Sequence, residues 1–102
     1  MIEKKISELR PGMEHIDLEV RIEKLDEPRE IVTSYDAEHT IVDGEVKDDT
    51  GRINLAVWNE TIEQLEEVSV GDEVKLRNCF ISSYKGSLSV NVGRDSMIIK
   101  IK

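Results

Sequence analysis

Trp58, the single tryptophan of the chain, ends a stretch that alternates without a break. Ile53, Leu55 and Val57 fall on one side of it, and Asn54, Ala56 and Trp58 on the other. The aliphatic side claims the core, so the pleat sends Trp58 outward. The competing reading tucks Trp58, at the strand end, under the segment that follows. A second pair of aromatics lies in "NCFISSYKG", residues 78–86. Just before it, "EVKLR" sends Val74 and Leu76 one way and Lys75 and Arg77 the other. Simple continuation would bury Phe80 and Tyr84 and expose Cys79 and Ile81. One extra residue around Arg77–Cys79, a β-bulge, reverses the outcome. It turns Cys79 and Ile81 inward and displays Phe80, Ser82 and Tyr84. We expect the bulge, because it keeps two apolar side chains dry; without it both aromatics pack inside. Displayed aromatics on a barrel face do one well-defined kind of chemistry. They stack on nucleobases, at about 1–3 kcal/mol per base and with little regard to sequence. Lys75 or Arg77, Lys85, Arg94 and Arg52 are the candidate phosphate contacts around such a face. Each of them alone also reads as plain surface charge.

Other chemistry is thinly represented. His15 and His39 are far apart, with no metal-ligand spacing around them, and read as solvated or structural. There is no Gly-rich phosphate loop or dinucleotide fingerprint. Cys79 has no marked partner base nearby and suits a small apolar role. Carboxylates are everywhere, so pairs of them carry no signal. The pattern argues for no enzyme, no cofactor and no metal.

The balance of charge tempers the nucleic-acid reading. The net charge is −8, from 14 basic and 22 acidic residues. Residues 1–70 carry 8 basic and 19 acidic side chains, whereas residues 71–102 carry 6 and 3. The acidity therefore belongs to the first two-thirds, and the last third is mildly basic. An acidic surface also serves solubility alone. One cysteine excludes an intrachain disulfide framework and suits a reducing compartment. The first residues, "MIEKKISELR", carry charges where a signal peptide needs an apolar run. No stretch approaches the roughly 20 apolar residues of a membrane span. The chain reads as a soluble, cytoplasmic protein.

The elements that must position these residues are short strands. "KISELRPGM" gives a helical turn and a Pro-Gly turn. "HIDLEVRIEKL" alternates through Ile16, Leu18, Val20 and Ile22, and Leu25 then falls out of phase, which predicts a bulge or bend. Pro28 interrupts. An extended arm follows, with a polar tip near residues 35–38 where Tyr35 is a further exposed aromatic. A strand returns through Ile41–Val46, and Gly44 inside it suggests a tight bend. Asp48, Asp49, Thr50 and Gly51 form a hairpin turn with a glycine suited to positive φ. After Trp58, Asn59 is read as the cap of a helix over "ETIEQLEEV", with Ile62 and Leu65 three apart. Two more strands follow, the fifth carrying Leu88, Val90 and Val92 against Ser89 and Asn91. "MIIKIK" is a short terminal strand or extension. Five strands with one helix between the third and fourth predict an all-β, five-stranded OB-fold Greek-key barrel. An SH3-like barrel does not expect a helix there.

These residues also resemble a family. "KISELRPGM", "EVRI…EPRE", "DDTGRINLAVWNE", "VGDEVKLRN" and "YKGSLSVNVGR" are similar to the single-OB single-stranded DNA-binding proteins of archaea and to the OB repeats of archaeal replication protein A. The resemblance covers about residues 5–94. It implies that Trp58, Phe80 and Tyr84 stack on DNA bases, and that the chain serves replication, recombination or repair. We expect one OB domain over residues 1–102, with a core of about 5–94 and a terminal extension over 95–102. Family members often carry a flexible tail or further OB domains, and the acidity here departs from a strong binder. Two other readings follow: a protein-contact module of a larger replication protein A-like assembly, and an RNA binder.

Overall fold

In the computed structural model, which describes residues 2–33, 35 and 37–101, the alternating stretches become strands. They are β1 (Ile2–Glu3), β2 (Ile16–Leu25), β3 (Arg29–Val32), β4 (Glu38–Asp48), β5 (Gly51–Trp58), β6 (Glu73–Tyr84), β7 (Ser87–Val92) and β8 (Met97–Lys100). Five of them close a barrel in the order β2–β4–β5–β7–β6 and back to β2. Only the β5–β7 contact in that ring is parallel. This is the five-stranded OB topology. β3 extends the sheet as a hairpin with β4, β1 lies parallel to β2, and β8 adds to the outer edge of β6. Of the polar tip between β3 and β4, Ser34 and Asp36 lie outside the described residues; Tyr35 is exposed.

The barrel is filled by the aliphatic side of each strand. Leu18, Ile22, Val46, Leu55, Val57, Val74, Leu76, Val90 and Val92 are fully enclosed. No aromatic ring enters this core among the described residues. Ile98 of β8 also reaches the core, and its N–H donates to Gln64 Oε1 at 2.6 Å, so the "MIIKIK" strand is stitched to the barrel.

Both expected irregularities are present. Between Ile22 and Lys24 the register of β2 against β4 slips by one residue, which throws Leu25 out of phase. There Gly44 meets the β2 backbone: a Cβ on it would lie 2.3 Å from the Lys24 carbonyl oxygen. On β6, Ile16 pairs Cys79 and Leu18 pairs Leu76, so β6 holds one residue more than β2 across that interval. The extra residue is absorbed at Asn78, whose φ is +58°. Asparagine tolerates this left-handed conformation better than most side chains. The bulge is pinned by Asp17, whose carboxylate accepts the Asn78 N–H at 2.9 Å, and by Asn78 Nδ2, which donates to the Asp95 carbonyl at 3.0 Å.

Two local expectations are corrected. The segment after β5 is a 3-10 helix, Asn59–Leu65, and Asn59 does not cap it. Its side chain is committed to β4 instead: Oδ1 accepts the Thr40 N–H at 3.0 Å, and Nδ2 faces His39 Nδ1 at 3.1 Å. The three-residue spacing of Ile62 and Leu65 suits the tighter helix, whose period is 3.0. In the β4–β5 turn Gly51 has no positive φ. Asp48 organises the turn by accepting from Thr50 N–H, Thr50 Oγ1 and Gly51 N–H, and from Ile6 N–H across the barrel end.

Candidate nucleic-acid interface

The outer face of β4, β5, β7 and β6 gathers the displayed side chains in rows set by register. Asp43, Ala56, Asn91 and Phe80 stand opposite one another across the four strands. The next row is Glu45, Asn54, Ser89 and Ser82. Beyond it Tyr84 pairs Ser87, and Arg52 lines a cleft with Ser87 and Glu45.

The bulge at Asn78 decides what this face carries. After it Cys79 and Ile81 are buried, whereas Phe80 is 42% exposed and Tyr84 74%. Burial pushes the Cys79 thiol up to about 12, so it is a packing group and not a nucleophile. The Phe80 ring leans toward Gly93, where an added Cβ would sit 3.8 Å from it.

Trp58 projects from the same face, half-buried. Its indole N–H donates to Asn91 Oδ1 at 3.2 Å. The His39 ring meets it edge-on, with centroids 5.6 Å apart and planes at 77°. Its partner across β4, Ile41, is buried although it lies outside the barrel core. Trp58 is therefore seated rather than loose, and it keeps part of its surface open. Trp58 and Phe80 flank Asn91 at one end of the face. Tyr84 lies four residues along β6 from Phe80, about 13 Å at the usual strand rise.

The β6–β7 turn displays the other end. Lys85 and Gly86 have φ of +50° and +83°. Two positive φ values in a two-residue loop are the signature of a type I′ hairpin. Lys85 Nζ hangs 5.4 Å from the Tyr84 ring centroid, within cation–π range.

The structure divides the basic candidates into two groups. Arg52, Lys85 and Arg94 border the aromatic face or its ends. Arg52 is held by Glu45 at 3.0 Å and lies 4.0 Å from Glu23. Arg94, highly exposed just beyond β7, lies 3.9 Å from Asp95. Lys75 and Arg77 precede the bulge, where β6 pairs β2 and β8 instead of β7. Lys75 is paired with Glu3 at 3.0 Å and Arg77 with Asp17 at 3.6 Å. Both are thus engaged by carboxylates on the half of β6 before the bulge.

Two contributors to the face were not singled out in the sequence. Asn91 and His39 both contact Trp58. The alternation of β7 does place Asn91 outward, but only the parallel register of β5 and β7 brings it against the indole.

Comparison with known proteins agrees with this architecture. The family described as single-stranded DNA binding protein Ssb-like, OB fold, matches residues 9–99. A single-stranded DNA binding protein Ssb from Saccharolobus solfataricus is 32% identical over 97 residues, which are 95% of this chain and 63% of that protein. A replication factor A from Methanothermobacter thermautotrophicus is 30% identical over 93% of this chain and 12% of its own length. The chain thus spans under two-thirds of either relative. Among solved structures, a replication factor A related protein from Methanobacterium thermoautotrophicum superposes with a TM-score of 0.83. That match covers 98% of this chain and 91% of the other, at 24% identity. The barrel order, the Asn78 bulge and the family match over residues 9–99 converge: this chain belongs to the Ssb-like OB-fold family.

Proposed function

We propose that this chain binds single-stranded DNA with little sequence preference, by stacking bases on Trp58 and Phe80 at one end of the face and Tyr84 at the other. The observation that carries it is the Asn78 bulge, which puts Phe80 on the surface beside Trp58 while the barrel core is entirely aliphatic. Arg52, Lys85 and Arg94 supply the phosphate contacts; Lys75 and Arg77 lie on the other half of β6 and take no part. The chain acts as one OB domain in replication, recombination or repair. We read it as a cytoplasmic binding module without a catalytic step; a binding role is what the printed name of one relative, a single-stranded DNA binding protein, supports.

The test is a titration of oligo-dT into the protein at about 50 mM salt, following Trp58 fluorescence. Saturable quenching that disappears in Trp58→Ala, with binding weakened by about 1–3 kcal/mol in Phe80→Ala, supports the reading. An absence of any response at high-micromolar strand sinks it. A matched RNA oligomer in parallel separates the RNA reading.

A second reading has its own observation. Met97, Ile99 and Ile101 are exposed on or beside β8, an edge strand that pairs the half of β6 before the bulge, whereas β7 pairs the half after it. An exposed apolar edge of this kind fits a protein contact within a replication protein A-like assembly. In that case Met97→Ser with Ile99→Ser abolishes partner binding and leaves oligo-dT binding alone.

A further inference from the structure

Asn91 is a polar side chain at an outward-facing strand position, yet it is only 3% exposed. A polar group concealed in that way needs every partner it can find. Asn91 finds them on both sides. Its Oδ1 accepts from the Trp58 indole at 3.2 Å. Its Nδ2 donates to Ser82 Oγ at 2.9 Å, to the Phe80 carbonyl at 3.3 Å and to the Ser89 carbonyl at 3.4 Å. The orientation of the amide is not arbitrary. An indole N–H only donates, so the amide oxygen must face Trp58. The NH2 group is then forced toward β6, where the Phe80 carbonyl can only accept.

Asn91 also stands between Ala56 of β5 and Phe80 of β6 in register. It therefore bridges the strand that carries Trp58 to the strand that carries Phe80. Among the described residues Trp58 and Phe80 make no ring contact with each other; the amide is what ties the indole of one to the backbone of the other. We infer that Asn91 is a positioning residue, which holds the Trp58 ring at a fixed angle beside Phe80 so that both stacking surfaces are ready before a strand arrives. This deepens the single-stranded DNA reading and rests on it. Its physical content is preorganisation: a ring already fixed loses less rotamer freedom on binding than one that must be ordered.

The inference has one consequence without DNA and one with it. Without DNA, the Trp58 indole proton exchanges with solvent at least about tenfold more slowly than that of a free tryptophan derivative, as read by NMR. Exchange at the free rate in the wild-type protein overturns the positioning role, whatever the protein binds. With DNA, the measurement is a double-mutant cycle on anisotropy of a dye-labelled dT oligomer, using Asn91→Ala and Trp58→Phe. Phenylalanine keeps a ring but lacks the N–H. Asn91→Ala weakens binding about tenfold when Trp58 is present, and less than about twofold when position 58 is Phe. Equal losses in both backgrounds mean that Asn91 serves only the fold, and the inference fails. If Asn91→Ala does not unfold cooperatively in urea, Asn91→Ser, a smaller polar replacement, takes its place in the same cycle. A wild-type protein with a protected indole proton and no affinity for the oligomer refutes the DNA reading and leaves Asn91 as a holder of Trp58 alone.

Discussion

The salt dependence of the proposed DNA binding is the sharpest quantity the structure sets. Each phosphate neutralised on a single strand contributes about −0.7 to the slope of log K against log salt. The candidate cations bordering the aromatic face are Arg52, Lys85 and Arg94; Arg29 is taken up by Asp43. One to three contacts give a slope of about −0.7 to −2.1. Raising salt from about 50 to 200 mM then weakens binding only about 3- to 20-fold. Arg52 is the informative member, because it already has a partner: its guanidinium lies 3.0 Å from Glu45. A phosphate must displace that carboxylate, so Arg52 exchanges one anion for another. Glu45→Gln frees it. An exposed ion pair of this kind is worth up to about 1 kcal/mol, so affinity at low salt rises by up to about fivefold and the slope steepens by about 0.7. Lys75→Ala, on the other half of β6, leaves the slope where it was. The assay is anisotropy of a labelled dT oligomer at three salt concentrations for each variant. A wild-type slope steeper than about −3, or a Glu45→Gln slope equal to wild type, refutes the assignment of these cations.

Three further outcomes follow from the barrel itself. Gly44→Ala places a Cβ against the Lys24 carbonyl, a backbone atom that cannot swing aside, and costs at least about 2 kcal/mol in urea unfolding. Asn78→Val puts a β-branched residue at φ +58° and removes the hydrogen bond to the Asp95 carbonyl; we expect a loss of about 2–3 kcal/mol, and a loss below about 0.5 contradicts the bulge. Burial alone would raise the Asp48 carboxyl, but hydrogen bonds from the Thr50 side chain and from the backbone of Ile6, Thr50 and Gly51 outweigh it and hold it below the ordinary range. The unfolded chain therefore takes up this proton first as pH falls, so the contribution of Asp48 is whole above about pH 4 and fades below it. The stability gap between wild type and Asp48→Asn, measured by urea midpoint, is widest near pH 7 and narrows toward pH 3; a constant gap contradicts the assignment.

What could be read from sequence was what depends on neighbours along the chain. Parity alone sends Trp58 out, because Ile53, Leu55 and Val57 leave no doubt about the core side. Parity also demands a bulge near Asn78, since Val74 and Leu76 have the opposite phase to Cys79 and Ile81, and all four are fully buried. Leu25 and Gly44 gave the other irregularity for the same reason. What escaped depends on contacts between distant segments. The Asn91–Trp58 bond needs the β5–β7 closure, which no local pattern encodes. Asn59 looked like a cap because asparagine before an acidic turn usually is one; its amide went to Thr40 on β4. Lys75 and Arg77 share a strand with Phe80, and sharing a strand suggested sharing a face. What the pattern along β6 did not show is their partners, Glu3 for Lys75 and Asp17 for Arg77, both far away in sequence.

This arrangement bears on how so acidic a chain would hold an acidic polymer. The carboxylates that stand on the aromatic face, Asp43 and Glu45, are each met by an arginine, Arg29 and Arg52. The charges standing within the face therefore cancel in pairs, and Lys85 and Arg94 at its ends leave only a small positive balance, although the chain carries −8. Long-range attraction is weak there and so is repulsion, because charges elsewhere are screened beyond about 8–10 Å at ordinary ionic strength. Affinity must then come from short-range terms. Stacking supplies about 1–3 kcal/mol per base and is insensitive to salt, whereas each phosphate contact fades as salt rises. A site built on seated aromatics with few free cations gives up speed of association for binding that persists at high salt. On that logic the indole of Trp58, fixed by Asn91 and His39, matters more to affinity than any single basic residue, and Trp58→Ala costs more at 200 mM salt than Arg52, Lys85 or Arg94 replaced one at a time.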